Sequence, residues 1–592
     1  MPRFKKAIHI HSLLLPSTET KKNISSILLI IIFSISLSLP LVKSGLYTMH
    51  DDQQVARLFL FSKSLTNGQF PVRWVDELGF GFGYPLFVFY PPLVYILGEV
   101  THIVGFNFIN SVKIVFFLSI LLSGVSMFVF VKELWGRAAA IIASIFYIYA
   151  PYRALDIYIR GAFAEAFSFV WLPLILWSFY KVSKEQTAIY FYLSGILLAF
   201  LMITHNLIFL PFMLILGFYL PVLCYISKNK ILFIKHTLFV GILGAGLSAF
   251  FWMPALLEKK YTIVDQLLLT NLADYRIHFV YPQQLWNWPW GFGGSAKGLA
   301  DGISFKIGKI HIILSVISFL LMVIYYKYKI LTKNKFVLPV TFLFLFIFSG
   351  FMTTMYSQFI WNFIKPLAYL QFPWRFLTFA VLFSSLMAGY FIYLLRLPFL
   401  KLIFSGIILV LLIVPNYKLF KPQLYRENLT DAEAILTKNI NWGVSKSSFE
   451  YMTQGVDLMT LENGSKMLNI DQSNLPKEKL SIISGDANVE ITTIKPDKLN
   501  FKTTANNNSF ITANIINFPG WELKIDSIVN KIYDNNSYKL ISFSVPSGNH
   551  IVSLDFKNTP TITIANMISL VSIISLLTGL LIINISKLRF KL

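Results

Sequence analysis

The chain has 592 residues, 55% of them hydrophobic and only 14% charged, with a formal net charge of +22. That composition excludes a soluble enzyme and places the chain among polytopic membrane proteins. In a soluble chain such a basic balance would suggest nucleic acid. In a membrane chain lysine and arginine collect in cytoplasmic loops, so no nucleic-acid partner is expected. The single cysteine, Cys224, lies in an apolar run and leaves no intrachain disulfide. The nine histidines are scattered without paired metal-ligand spacing.

In chain order, residues 1–23 form a basic cytoplasmic N-terminus carrying Arg3, Lys5, Lys6, Lys21 and Lys22, and residues 24–42 form the first apolar run. Pro40-Leu41-Val42-Lys43 is a poor cleavage site, so the run is expected to stay as a first helix with its N-terminus inside. Directly after it comes the stretch Tyr47 to Arg57, with His50, Asp51 and Asp52 where a membrane helix meets water. Acids at a membrane edge are a functional-site hypothesis by default. A carboxylate there also suits the cap of the helix pattern that opens at Val55. The two readings stand side by side.

Residues 66–92 read as a structured loop at headgroup level, with aromatics alternating with Gly79, Gly81 and Gly83. The run 86–104 is long enough to cross but contains Pro91, Pro92, Glu99 and His102. If it is interfacial, twelve spans remain: residues 24–42, then about 111–131, 138–150, 163–180, 187–204, 207–226, 236–256, 309–326, 336–352, 375–395, 400–416 and 561–585. The inside connections then carry Lys132 and Arg137, Lys181 and Lys184, Lys228 to Lys235, Lys327 to Lys335, Arg396 and Lys401, and the basic tail. Counting 86–104 as a span inverts that pattern, so the positive-inside rule selects the first topology.

That topology sends loop 44–110 to the outer face, with loop 257–308. The segment carrying Arg153, Asp156, Arg160 and Glu165 goes there too, as do His205 and the Gln371-Phe372-Pro373-Trp374-Arg375-Phe376 motif. Acids, arginines and a histidine gather on one side. Proton transfer needs a carboxylate, and phosphate suits the planar fork of arginine. Each arginine taken singly is also explained by snorkelling to headgroups. Trp286, Trp288 and Trp290 suit either an interfacial belt or a stacking platform.

Residues 417–560 are richer in polar residues and have no spanning run. Alternation over 539–545, a Pro-Ser-Gly-Asn turn and alternation over 551–556 predict a β-hairpin in a small extracytoplasmic β-rich domain. Asn428 and Asn463 head glycosylation sequons. Residues 561–592 provide a last helix and a basic cytoplasmic tail.

Several motifs carry a family resemblance. They are His50-Asp51 with Arg57, Phe70-Pro71-Val72-Arg73-Trp74, Arg160-Gly161-Ala162 with Glu165, the 371–376 motif, and Phe518-Pro519-Gly520-Trp521 with Val545-Pro546-Ser547-Gly548. On these the chain resembles the GT-C class of integral-membrane glycosyltransferases. It is most similar to bacterial membrane proteins labelled 6-pyruvoyl-tetrahydropterin-synthase-related and their YfhO-like relatives. Where those relatives often place a histidine, this chain has Gln54.

The resemblance implies a mainly α, GT-C-like transmembrane domain over residues 24–416 and a C-terminal β-sandwich-like domain, with about 12 transmembrane helices in the whole chain, the last at 561–585. It implies inverting transfer of a sugar from a polyprenyl-phosphate donor to a glycan, lipid or protein acceptor, on the outer face of the plasma membrane, in cell-envelope chemistry. Asp51 takes the place of the general base and Asp52 would orient acceptor or base. His50, Arg57, Arg153, Asp156, Arg160, Glu165, His205 and Arg375 are the substrate-binding candidates. No cofactor is certain from the sequence, and Asp51 and Asp52 leave room for a divalent Mg2+ or Mn2+. Two other functions fit a polytopic basic chain: a lipid or polysaccharide transporter, and a non-catalytic scaffold for envelope assembly.

Overall fold

The structure is a computed structural model that describes residues 18–268, 273–330, 332–462 and 464–589. Arg3, Lys5, Lys6, the sequon residue Asn463 and the last three residues lie outside it.

All twelve apolar runs are helical. With no water in a bilayer core, each backbone N–H and C=O must be satisfied within its own segment, and a helix apolar on every side does this. Among the described residues nine helices are long and apolar enough to cross, and the pair Arg137–Ile148 and Pro151–Arg160, bent by 41°, makes a tenth. Ala188–Thr204 and Phe336–Met352 are shorter. The expectation of about twelve spans is therefore reduced to nine or ten by length, the remaining two runs being helices of about five turns. The run 86–104 breaks at Pro91-Pro92 and yields only an 11-residue helix, Leu93–Ile103, about half the length a ~30 Å hydrocarbon core demands.

The span Pro373–Leu394 is almost wholly buried, and Phe163–Glu185 mostly so. The Leu377–Leu394 helix packs on Arg137–Ile148, Lys309–Lys327 and Lys333–Met352, while Phe163–Glu185 packs on Phe108–Trp135. Pro398–Tyr417 and Pro560–Ile585 run around the outside with most of their surface free. The basic connections meet at one end of the bundle. Lys132 pairs with Glu19 at 3.2 Å, Lys181 with Glu133 at 3.3 Å, and Arg396 lies over the Tyr325 ring.

The glycine-rich loop of residues 66–92 packs against the C-terminal region. Gly79, Gly81 and Gly83 all take positive φ, and the turns they allow drive its aromatics under the C-terminal region. Trp74, 1% exposed, meets Trp521 and Phe556 at ring distances of 5.3 and 5.0 Å.

Beside a small two-stranded pair, Leu458–Thr460 with Lys466–Leu468, the described C-terminal region holds two larger antiparallel sheets. One has the strand order Ile528–Asn530, Trp521–Ile525, Gly548–Phe556, Lys498–Ala505, Ala487–Lys495; the other has the order Leu540–Val545, Ser509–Ile516, Leu480–Ser484. Residues 540–545 and 548–556 are therefore not the hairpin their alternation suggests. Each strand has apolar side chains to bury, and the Pro546-Ser547 corner sends the two into facing sheets, with the Phe543 and Phe501 rings meeting between them at 6.2 Å. A short strand before this region, Tyr425–Arg426, pairs with Leu46–Tyr47 just ahead of Asp51.

Candidate active site

The Asp51 stretch is fastened to the turn that carries Arg160. The His50 N–H donates to the Ile159 carbonyl at 2.9 Å and the Asp51 N–H to the Arg160 carbonyl at 2.8 Å. Gln54 Nε2 donates to the Gly161 carbonyl at 3.3 Å, and the Gln54 carbonyl accepts from Tyr95 at 2.7 Å. Residues Asp156–Arg160 form one wide π-helical turn, a feature frequent at functional sites. The turn ends at Gly161 with φ 64°, where a Cβ would overlap the Met49 side chain. Only glycine suits both the left-handed backbone and that close approach.

Three helix ends then converge. Glu165 opens Phe163–Glu185, and Arg375 sits in the 3-10 turn that precedes Leu377–Leu394. His205 caps Asn206–Ile226, its Nδ1 accepting from the Ile208 N–H at 3.0 Å. Arg160 Nη1 donates to Asp156 and to Glu165 Oε2, the latter at 2.9 Å. Glu165 Oε1 accepts from Tyr152 at 2.6 Å. Arg375 approaches Glu165 only through Nε at 3.5 Å, and its Nε and Nη1 make no hydrogen bond although the residue is 8% exposed. Arg160 is committed to two acids. Arg375 keeps two donors to spare, and Arg57 keeps its Nε.

These groups face one cavity of about 880 Å³, lined by His50, Asp51, Arg57, Arg160, Glu165, His205 and Arg375, within the usual size of a ligand pocket. Asp51 is partly exposed, and what it faces is this cavity. Burial pushes its carboxyl up from the ordinary value, against the opposing pull of Arg160, Arg57 and Arg375. His205 is pushed down to about 3, first by burial and then by Arg375. With Nδ1 used as a cap, it is a neutral imidazole whose Nε2–H is a donor. His50 Nε2 lies 3.1 Å from the Phe292 carbonyl.

Three residues expected at the site do not line the cavity. Arg153, fully buried, donates to the Ala166 carbonyl at 2.7 Å and to Ser119 at 3.3 Å. Asp156 is equally buried and reaches the cavity only through Arg160. Asp52 is exposed outside it, where burial raises its carboxyl and Arg426 lowers it. Asp51 and Asp52 thus do not converge, and no group of three His, Cys, Asp or Glu side chains among the described residues is placed to hold a metal ion.

The cavity also takes in residues that sequence patterning did not single out. Lys259, paired with Asp265 at 3.0 Å, and Tyr369 come from the flanking loops, Tyr90 from the end of the glycine-rich loop, and Ser447, Glu450 and Tyr451 from beyond the helical bundle. Gln371, noted only as part of a motif, is the centre of a tight turn with φ 62°, closed by a bond from the Phe372 N–H to the Leu370 carbonyl at 2.6 Å. Such turns are rare and strained. Another wall is apolar, with Met202, Leu210, Met213, Trp252 and Leu256. Leu256 is 63% exposed on the outside of the bundle.

No protein-family model matches the chain, and no curated protein does. Among solved structures, the chain is similar to the Archaeoglobus fulgidus oligosaccharyltransferase in its apo form, at 13% identity and a TM-score of 0.41, over 70% of this chain and 56% of that one. It is also similar to the arabinofuranosyltransferase AftD from Mycobacteria, at 12% identity and a TM-score of 0.42, over 69% of this chain and 27% of that one. The chain thus spans little more than half of the first and about a quarter of the second.

Proposed function

We propose that the chain is a GT-C-type glycosyltransferase that moves a sugar from a polyprenyl-phosphate donor to an acceptor hydroxyl on the extracytoplasmic face. The observation that carries this reading is the placement on one cavity of the Asp51 carboxylate and a buried guanidinium with unused donors, Arg375. Asp51 takes the proton of the acceptor hydroxyl. The acceptor oxygen attacks the anomeric carbon, and the bond from that carbon to the phosphate oxygen breaks with its electron pair going to the phosphate. The product glycoside has the inverted configuration, and the departing polyprenyl phosphate is held by Arg375 with Arg160 beside it. The proton leaves Asp51 to solvent. Every role falls on a side chain of this chain, and no step needs a metal.

The apolar wall suits the first isoprene units of such a lipid, since its exposed edge at Leu256 is where a bilayer would lie. The basic connections meet at the end of the bundle away from the site. By the positive-inside rule that end is cytoplasmic, with both termini there and the site outside the plasma membrane. The closer likeness to the 6-pyruvoyl-tetrahydropterin-synthase-related and YfhO-like proteins belongs to the same proposal. The test is sugar transfer by the purified protein in proteoliposomes, from a panel of polyprenyl-phosphate mannose, glucose and arabinofuranose. Product of inverted configuration is expected with one of them. Binding without turnover across the panel and a broad set of acceptors would contradict the reading.

A further inference from the structure

Glu450 stands in the cavity with an unusual lack of partners. Its carboxylate is 19% exposed, lines the cavity, and has as its nearest ion Arg57 Nη2 at 3.9 Å, too long for a hydrogen bond. That same Nη2 donates to Ser448 Oγ at 2.7 Å, so Arg57 fixes the segment and leaves the acid free. The segment is held on its other side as well. The Tyr451 N–H donates to the Tyr84 hydroxyl at 3.0 Å, and the Tyr451 ring stacks on Phe89 at 5.0 Å. The Tyr90 ring lies under the Arg57 guanidinium at 4.4 Å. Arg57, Asp51, Glu450 and Arg375 all line the same cavity.

We propose that Glu450 binds the hydroxyl groups of the donor's sugar and sets which sugar is accepted. This rests on the glycosyl-transfer reading above. The charges in the cavity are sorted. A carboxylate repels phosphate, so the phosphate goes to Arg375, whose Nε and Nη1 are unsatisfied. A carboxylate is an acceptor-only group with room for two O–H donors, which matches neighbouring hydroxyls on one sugar. The rings of Tyr90 and Tyr451, both on the cavity wall, supply apolar surface for the sugar's C–H side. Because Glu450 lies beyond the last helix of the main bundle, the C-terminal region is a wall of the site.

The experiment compares binding of two probes to the full-length protein in nanodiscs: bare polyprenyl phosphate, and the panel member that wild type transfers. Glu450→Ala is expected to weaken the sugar-bearing lipid about 10–100-fold, the range of a hydrogen bond to a charged group, while bare polyprenyl phosphate binds within about twofold of wild type. Glu450→Gln, which keeps the shape, is expected to show a smaller loss of the same kind and serves if the alanine variant melts early. Equal weakening of both lipids, or no weakening of either, overturns the role of Glu450. Failure of wild type to bind either lipid overturns the glycosyl-transfer reading, and the inference falls with it.

Discussion

The amide of Asp51 donates to the carbonyl oxygen of Arg160 at 2.8 Å, so backbone rather than side chain sets the acid beside the cation. The position of Asp51 therefore does not depend on its charge, and neutralising it tests chemistry with little disturbance of the loop.

A pH prediction follows from that carboxyl. Burial raises it, so transfer is expected to fall as pH drops through a value above the ~3.9 of a free aspartate. The sign for stability is the reverse of a salt-bridged acid. A raised carboxyl favours the fold at low pH, and that contribution is lost as pH rises through the folded value. Asp51→Asn is thus expected to melt at or above wild type at pH 7, measured by thermal unfolding in detergent. A clear drop in melting temperature would mean that the charge of Asp51 supports the fold through Arg160, Arg57 and Arg375.

Arg375 and Arg153 separate binding from folding. Arg375→Ala is expected to weaken polyprenyl-phosphate binding by about 10-fold or more with near-normal expression. Arg153 has no face on the cavity and holds Ala166 and Ser119. Arg153→Ala is expected to cost about 1–3 kcal/mol of stability from the acceptors it leaves unpaired, with the donor KM unchanged in the protein that folds. The reverse pattern would move the phosphate contact to Arg153.

Gly161→Ala meets both a positive φ and the Met49 side chain. A loss of about 1–3 kcal/mol is expected, together with reduced transfer, because Asp51 is fastened to the neighbouring residue. Met49→Ala in the same chain is expected to restore part of the stability by removing the overlap and leaving the backbone strain. Thermal unfolding of the two variants reads this directly.

Topology is tested by cysteine labelling in a Cys224→Ser background. A cysteine at Gly105 is expected to react with an impermeant maleimide from outside the cell, and one at Lys329 only after permeabilisation. The opposite result would put the site on the cytoplasmic face.

Much of the helical architecture is legible in sequence, because apolar runs and basic loops report directly on burial and side. Asp51, Arg160, Glu165 and Arg375 are legible as a group, since a topology that places helix ends on one face also places the residues at those ends. What patterning misses depends on distance along the chain. Glu450 follows a polar stretch with no periodicity, and contacts such as the bond from Arg57 to Ser448, 391 residues apart, bring it in. Arg153 and Arg160 look alike in sequence. They point differently because the wide turn at Asp156–Arg160 changes the helical phase between them. The strands at 540–545 and 548–556 look like a hairpin because alternation reveals a buried face without saying which sheet owns it.

The most direct measurement is the rate of sugar transfer by purified Asp51→Asn protein, against wild type and Asp52→Asn, using the donor that wild type accepts. The account predicts a fall of ~10²–10⁴-fold for Asp51→Asn, the usual worth of a positioned base, with donor binding retained. Asp52→Asn, which lies outside the cavity, is expected to stay close to wild type. Full activity in the Asp51→Asn protein would contradict the central claim.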